Sequence, residues 1–145
     1  STLFPYTTLF RSIIVGFPNE SDADFQDTLD VIDKIKFEQI FNFKYSKRPL
    51  TPAMNYDNQI DDEISSKRLT EVIEKHKSYN FEILKEKVGS TYKVLFDAKK
   101  EDGHISGKSD NNFTVIAKAN DSMLNSIQTL KIIGTRKNSL IGELL

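Results

Sequence analysis

At Gly89 the chain changes its period. Downstream of it, from Thr91 on, apolar and polar residues alternate in short runs: YKVLF, HISGKS, FTVIA, SIQTLKIIG and SLIGELL. These are five strand-like segments in about 55 residues, with turn residues between them. Alternation sends successive side chains to opposite faces of a strand. Five short strands at that spacing predict a small closed barrel of the OB type. Asp102-Gly103 marks a hairpin within it.

Upstream of Gly89 the pattern is mixed. Ile13–Val15 is a short β-branched run that ends in Gly16-Phe17-Pro18, read as a buried strand and a turn. Ser21 or Asp22 then caps a helix, with Asp22, Asp24 and Asp27 near its positive end. Phe25, Leu29, Ile32 and Ile35 follow at helical spacing, as one buried stripe. QIFNFKYS alternates as a strand should, so strand, helix and strand predict a βαβ unit with parallel pairing. A loop with Pro49 and Pro52 leads to a long helix from about Asp61 to Lys87, stopped by Gly89.

Composition narrows what such a chain does. Of 145 residues, 28% are charged and 38% apolar, the balance of a soluble globular domain. No window approaches the roughly 18 apolar residues of a membrane helix, and a basic leader is missing from the start. There is no Cys, which removes disulfides, thiol nucleophiles and thiolate-held zinc or iron–sulfur centres from the chain itself. His76 and His104 are too few for a metal cluster and read as surface polar residues. A cytoplasmic setting is expected. The net charge of −1 hides an asymmetry: residues 13–87 hold 11 Lys/Arg against 15 Asp/Glu, while residues 88–145 hold 8 against 6. A polyanion partner is therefore sought on the barrel.

The first twelve residues, STLFPYTTLFRS, fit neither half. They are one in-frame translation of a string that resembles a common sequencing-library adapter. Ser1–Ser12 is accordingly expected to be artefactual and is set aside from fold reasoning.

Taken in order, IIVGFPNES, FNFKYSKRPLTPA, ISGKSDNN and SLIGELL resemble the tRNA methylthiotransferase family, the MiaB-type radical S-adenosylmethionine (SAM) enzymes. Members typically read IIVGFPGET, F-x-YS-x-RPGTPA, LSGRT-x-x-N and SLRGEL. Tyr45-Ser46-Lys47-Arg48-Pro49 is similar to the branch that modifies tRNA rather than a ribosomal protein. The resemblance implies α/β plus all-β architecture. Residues 13–60 would be the C-terminal end of a radical-SAM partial TIM-like barrel, 61–87 a linking helix, and 88–145 a five-stranded OB-like TRAM domain that binds RNA. It implies SAM and two [4Fe-4S] clusters in the full-length family, with all six cluster cysteines upstream of Ile13. A fragment without them is expected to be inactive alone. The implied partner is tRNA, at the anticodon stem-loop, with no membrane or DNA expected, and the N-terminal part of the chain itself is missing. The implied reaction adds a methylthio group to isopentenyl-adenosine beside the anticodon.

Carried onto this sequence residue by residue, the resemblance suggests cofactor contacts at Gly16, Glu20 and Arg48. Gly16 lets backbone approach a ligand closely, at a strand end where barrel sites sit; a plain strand-to-helix turn is the alternative. Arg48 serves as a fork donor to cofactor or phosphate, or is a solvated charge. Lys93, Lys108, Lys118, Arg136 and Lys137 are the candidates for RNA phosphate. No catalytic residue and no metal ligand is assigned. Four positions depart from the family pattern. Asn19 stands for Gly, Leu50 replaces the Gly of RPGTPA, Lys108 replaces an Arg, and Phe113 stands near where relatives carry a basic residue. Phe113 reads as core rather than as a stacking platform, and Tyr45 as packing. Two other classes remain open. One is a non-catalytic RNA-binding module. The other is an α/β enzyme using GFPNE for phosphate, which lacks the repeated glycines of a phosphate loop. A related methylthiotransferase acting on another tRNA adenosine or a ribosomal protein is the near alternative.

Overall fold

The structure, a computed structural model, describes residues 10–145. It opens with β1 (Phe10–Val15), α1 (Asp22–Ile35) and β2 (Gln39–Lys44). β1 and β2 pair in parallel, from Phe10↔Gln39 to Val15↔Lys44, so the expected βαβ unit is present. Most of the adapter-like segment lies outside the described residues, but Phe10, Arg11 and Ser12 are the first half of β1. A ladder is made by backbone groups, so it extends into a segment whose side chains gave no strand signal.

α1 starts on a capping box: the Ser21 hydroxyl accepts from Asp24 N–H at 3.1 Å, and the Asp24 carboxylate accepts from Ser21 N–H at 2.9 Å. Phe25 and Ile32 are buried as expected, but Ile35 and Val31 are exposed. On β2, Ile40 is buried while Phe41 and Phe43 face outward beside Ile14, which pairs with Phe43 in register. One face of the two-stranded sheet is therefore apolar and open. Among the described residues no further strand joins it, so a radical-SAM barrel is not formed here.

A 3-10 turn (Pro52–Asn55) leads to α2 (Asp62–Glu86). The chain divides into two compact units, Ser1–Tyr79 and Asn80–Leu145, and the division falls inside this helix. Within the first unit α2 is more than a spacer. Val72 is fully buried, Tyr79 Oη donates to Phe37 O at 3.3 Å, and Lys44 Nζ reaches Asp62 at 2.6 Å. His76, expected at the surface, is half-buried with its ring edge-on to Tyr79 at 5.4 Å.

The second unit holds β3 (Thr91–Lys99), β4 (His104–Ser109), β5 (Thr114–Lys118), β6 (Ile127–Arg136) and β7 (Ser139–Leu144). They close in the order β3-β4-β5-β7-β6, with only β5 and β7 parallel. That is the five-stranded OB arrangement. Val94, Phe96, Ile105, Phe113, Val115, Leu130, Ile132 and Leu140 fill the interior. Bulges at Phe96/Ala98 and Ile132/Gly134 add the bend that closure needs. Asp102 and Gly103 both take positive φ, 56° and 69°, as a two-residue hairpin turn demands.

Candidate functional site

The first candidate lies where β1 and β2 end. Gly16 takes φ +73°, and its buried N–H donates to both carboxylate oxygens of Glu20 at 3.2 Å. Glu20 is in turn held by Arg68 of α2, whose Nη1 donates to Glu20 Oε1 at 2.6 Å and to Glu20 O at 3.0 Å. Arg68 Nη2 donates to Asp22 at 2.7 Å, and its guanidinium lies 5.3 Å from the Phe25 ring centroid. Arg68 is only 6% exposed. Burial opposes its charge, but the carboxylates of Asp22 and Glu20 outweigh that and hold its pKa above the ordinary guanidinium value. Ser65, one turn earlier on α2, occupies the space a side chain at Gly16 would need; a Cβ there would lie 2.7 Å from Ser65 Cβ. The glycine is thus required by close helix approach as well as by its backbone angle.

Beside this latch is a cavity of about 570 Å³, lined by Gly16, Lys44, Tyr45, Ser46, Gln59 and Asp61 among others. That volume suits a small-molecule ligand. Phe17 packs edge-on to Tyr45 at 5.2 Å, and the buried Tyr45 hydroxyl has no hydrogen-bond partner among the described residues. That oxygen has almost no accessible surface, so a ligand in the cavity would meet the polar side chains of Lys44, Ser46, Gln59 and Asp61 instead. The residues do not fit an iron–sulfur cluster. The chain has no Cys, and among the described residues no group of three or more His, Cys, Asp or Glu is gathered.

Of the suggested cofactor residues, only Gly16 lines the cavity. Glu20 is committed to the Gly16–Arg68 latch, and Arg48 is exposed, with its carbonyl accepting from Thr51 Oγ1 at 2.7 Å. Leu50 adopts φ +66° while fully exposed, so the loop keeps the left-handed turn that a glycine would make there. Asn19 does the same at φ +70°, tied by its N–H to Asn58 O at 3.0 Å.

The basic candidates fall into two groups on the barrel. Lys93 and Lys108 stand on β3 and β4, exposed, with Lys108 Nζ donating to Thr114 Oγ1 at 2.9 Å. Lys118 ends β5 opposite His104, and Arg136 and Lys137 lie at the β6–β7 turn. A groove of about 820 Å³ brings Arg136 together with Lys99, Lys100, His104 and Ile116. Lys100 and Arg68 were not singled out from sequence. Lys100 had a signal, its place beside the Asp102-Gly103 hairpin; Arg68 had none, because its partner lies 48 residues away.

A closed five-stranded barrel with cations on its surface is the architecture of an OB-like nucleic-acid module, and comparison with known proteins narrows the class. The TRAM domain family matches residues 85–145. The whole chain is 42% identical over 143 residues to the tRNA-2-methylthio-N(6)-dimethylallyladenosine synthase of Campylobacter jejuni subsp. doylei. It is 42% identical to the synthase of that name from Nitratiruptor sp. and 43% identical to that of Aliarcobacter butzleri. Each alignment covers 99% of this chain and 33% of the relative, so the chain spans about a third of the length of the curated relatives it matches. Along almost its whole length the chain is similar to these tRNA-2-methylthio-N(6)-dimethylallyladenosine synthases, and residues 85–145 match the TRAM domain family.

Proposed function

We propose that this chain is the C-terminal, substrate-facing part of a tRNA methylthiotransferase that modifies isopentenyl-adenosine beside the anticodon. One observation carries the reading: a single alignment at 42% identity runs through both the βαβ unit and the barrel. On this reading β1, α1 and β2 are the last strands and helix of a radical-SAM core. The open face of Ile14, Phe41 and Phe43 then packs against the remaining strands. Gly16 and Tyr45 border the SAM site; Glu20 and Arg68 shape it from behind. SAM supplies the radical chemistry when bound, and the thiolates for its iron come from outside this chain, which is inactive alone. Lys93, Lys108, Lys118, Arg136 and Lys137 meet tRNA. Such a partner places the protein in the cytoplasm; among the described residues no helix is long and apolar enough to cross a membrane.

Grafting supplies the test. Residues 13–145 replace the corresponding third of the Campylobacter synthase, in a strain that lacks its own enzyme. The expected result is the 2-methylthio nucleoside in digested tRNA, detected by mass. A hybrid that accumulates in folded, cluster-loaded form yet leaves tRNA unmodified overturns the reading.

A further inference from the structure

Two side chains outside the cavity at the strand ends hold one of its walls. Gly16 lines the cavity, together with Lys44, Asp62 and Ser65, whereas neither Glu20 nor Arg68 is in the lining. Yet the Gly16 N–H is held by the Glu20 carboxylate, and within the same turn Glu20 N–H donates to Phe17 O at 3.0 Å. Arg68 grips Glu20 at two points, the carboxylate and the backbone carbonyl, and reaches Asp22 with its other nitrogen. One planar guanidinium thus ties the turn to α2 and to the start of α1. A lysine ammonium carries no such fork.

Around this latch, α2 meets the ends of both strands. Ser65 fills the space beside Gly16, and Lys44 at the end of β2 donates to Asp62 at 2.6 Å and to Ser66 at 3.1 Å. Stability alone is a weak reason for a buried ion pair in such a place. Replacing both members of a buried pair by apolar residues is often neutral, because desolvation offsets most of the attraction. What the fork adds is direction. Its three bonds fix where the Glu20 carboxylate stands, and through it where the Gly16 amide points.

We propose that Arg68 is a positioning residue for the cofactor cavity: acting through the Glu20 carboxylate, it sets where the Gly16 turn stands at the cavity wall. Glu20 is then the intermediary and not itself a cofactor contact. This rests on the reading of the cavity as bordering the SAM site, and it adds a residue of the linking helix to that site.

Two measurements test it. In the 145-residue chain, Arg68→Lys should shift the Gly16 amide resonance. Val72→Ala, which thins the buried face of the same helix one turn further on, should lower the melting temperature and leave that resonance in place. In the cluster-loaded hybrid synthase, SAM binding is measured by equilibrium dialysis without reductant, so that no turnover occurs. Arg68→Lys and Glu20→Gln should each weaken SAM binding about ten-fold, and Val72→Ala should leave it unchanged. The double variant should again lose about ten-fold and not about a hundred-fold, because both residues act through one turn. Additive losses would show that Glu20 meets the cofactor by itself, and they overturn the proposal. So does a Gly16 resonance that ignores Arg68→Lys, or SAM affinity that is the same in Arg68→Lys as in the unaltered hybrid. An unaltered hybrid that is folded and cluster-loaded yet binds no SAM overturns instead the cavity reading on which the proposal rests.

Discussion

The two units of this chain bury their apolar residues with unequal success. In the barrel every strand has a hydrogen-bonded neighbour on both sides, so no edge is left and the interior is enclosed. Asn80–Leu145 buries eleven apolar residues and leaves six large ones exposed. The described part of the first unit buries seven and exposes ten, three of them (Ile14, Phe41 and Phe43) on one sheet face. A two-stranded sheet covered on one side is short of partners. Closure within a single unit makes the barrel self-sufficient, whereas the βαβ unit relies on helix packing and polar latches. The barrel should therefore resist changes at its surface and fail where its strands pack most closely, and the βαβ unit should fail at its latches.

The largest effect is expected at Gly107. A Cβ there would overlap the Leu95 carbonyl oxygen and lie 2.8 Å from Phe96 Cα, so β4 approaches β3 too closely for any side chain. These obstacles are backbone atoms, which cannot rotate away. Gly107→Ala should cost the barrel about 3 kcal/mol or more. Amide exchange at Val94, Phe96 and Ile105 would show it, with exchange in α1 unchanged. A cost below about 1 kcal/mol would mean that the barrel is not the tightly closed unit described.

Arg68→Met attacks the other unit. Removing one member of a buried ion pair leaves the other charge without compensation, worth about 3–5 kcal/mol when fully buried. Glu20 is 12% exposed at its side chain and keeps its Gly16 hydrogen bond, so about 2–3 kcal/mol is expected. Asp22, fully exposed, should add little. Protection should fall at Gly16 and in α1 while barrel amides stay protected. Equal loss in both units would abolish the contrast between them.

The same contrast explains what sequence showed and what it hid. All five barrel strands, the Asp102-Gly103 turn, and α2 to within a residue or so were legible, because each obeys a local rule of period or turn chemistry. A helix cap at Ser21 or Asp22 was legible for the same reason, but the reciprocal bond from Asp24 that completes the box was not. The latch was not, because Arg68 and Glu20 meet only through tertiary packing, and a lone Arg on a charged helix carries no distinguishing pattern. Phe41 and Phe43 show a second limit. Alternation says that they share a face, but not whether that face is covered. Leu50 shows a third: its φ of +66° follows from the turn it occupies, against its own preference. Asn19 behaves in the same way, taking φ +70° without being a glycine.

The smallest effect concerns pH and again belongs to the βαβ unit. His76 of α2 is half-buried, with Nε2 3.4 Å from Glu38 O and its ring against Tyr79. Burial lowers its pKa below the ordinary imidazole value, and the backbone carbonyls of Glu38 and Phe37 only partly offset this. Tyr79, pushed up to about 12 by burial and by Asp33, stays neutral throughout the relevant range. The unfolded chain therefore takes up a proton at His76 before the folded one does. Stability from this group is complete above pH of about 6.5 and falls as pH drops through that value toward the folded pKa. His76→Gln removes the titration, so its melting temperature should fall less between pH 7.5 and 5.5 than that of the unaltered chain. The difference should appear in α1 and β2 amides and be absent from the barrel. Parallel pH slopes in the two proteins would show that His76 is solvated in the folded state, and that this stretch of α2 does not seal the unit it packs on.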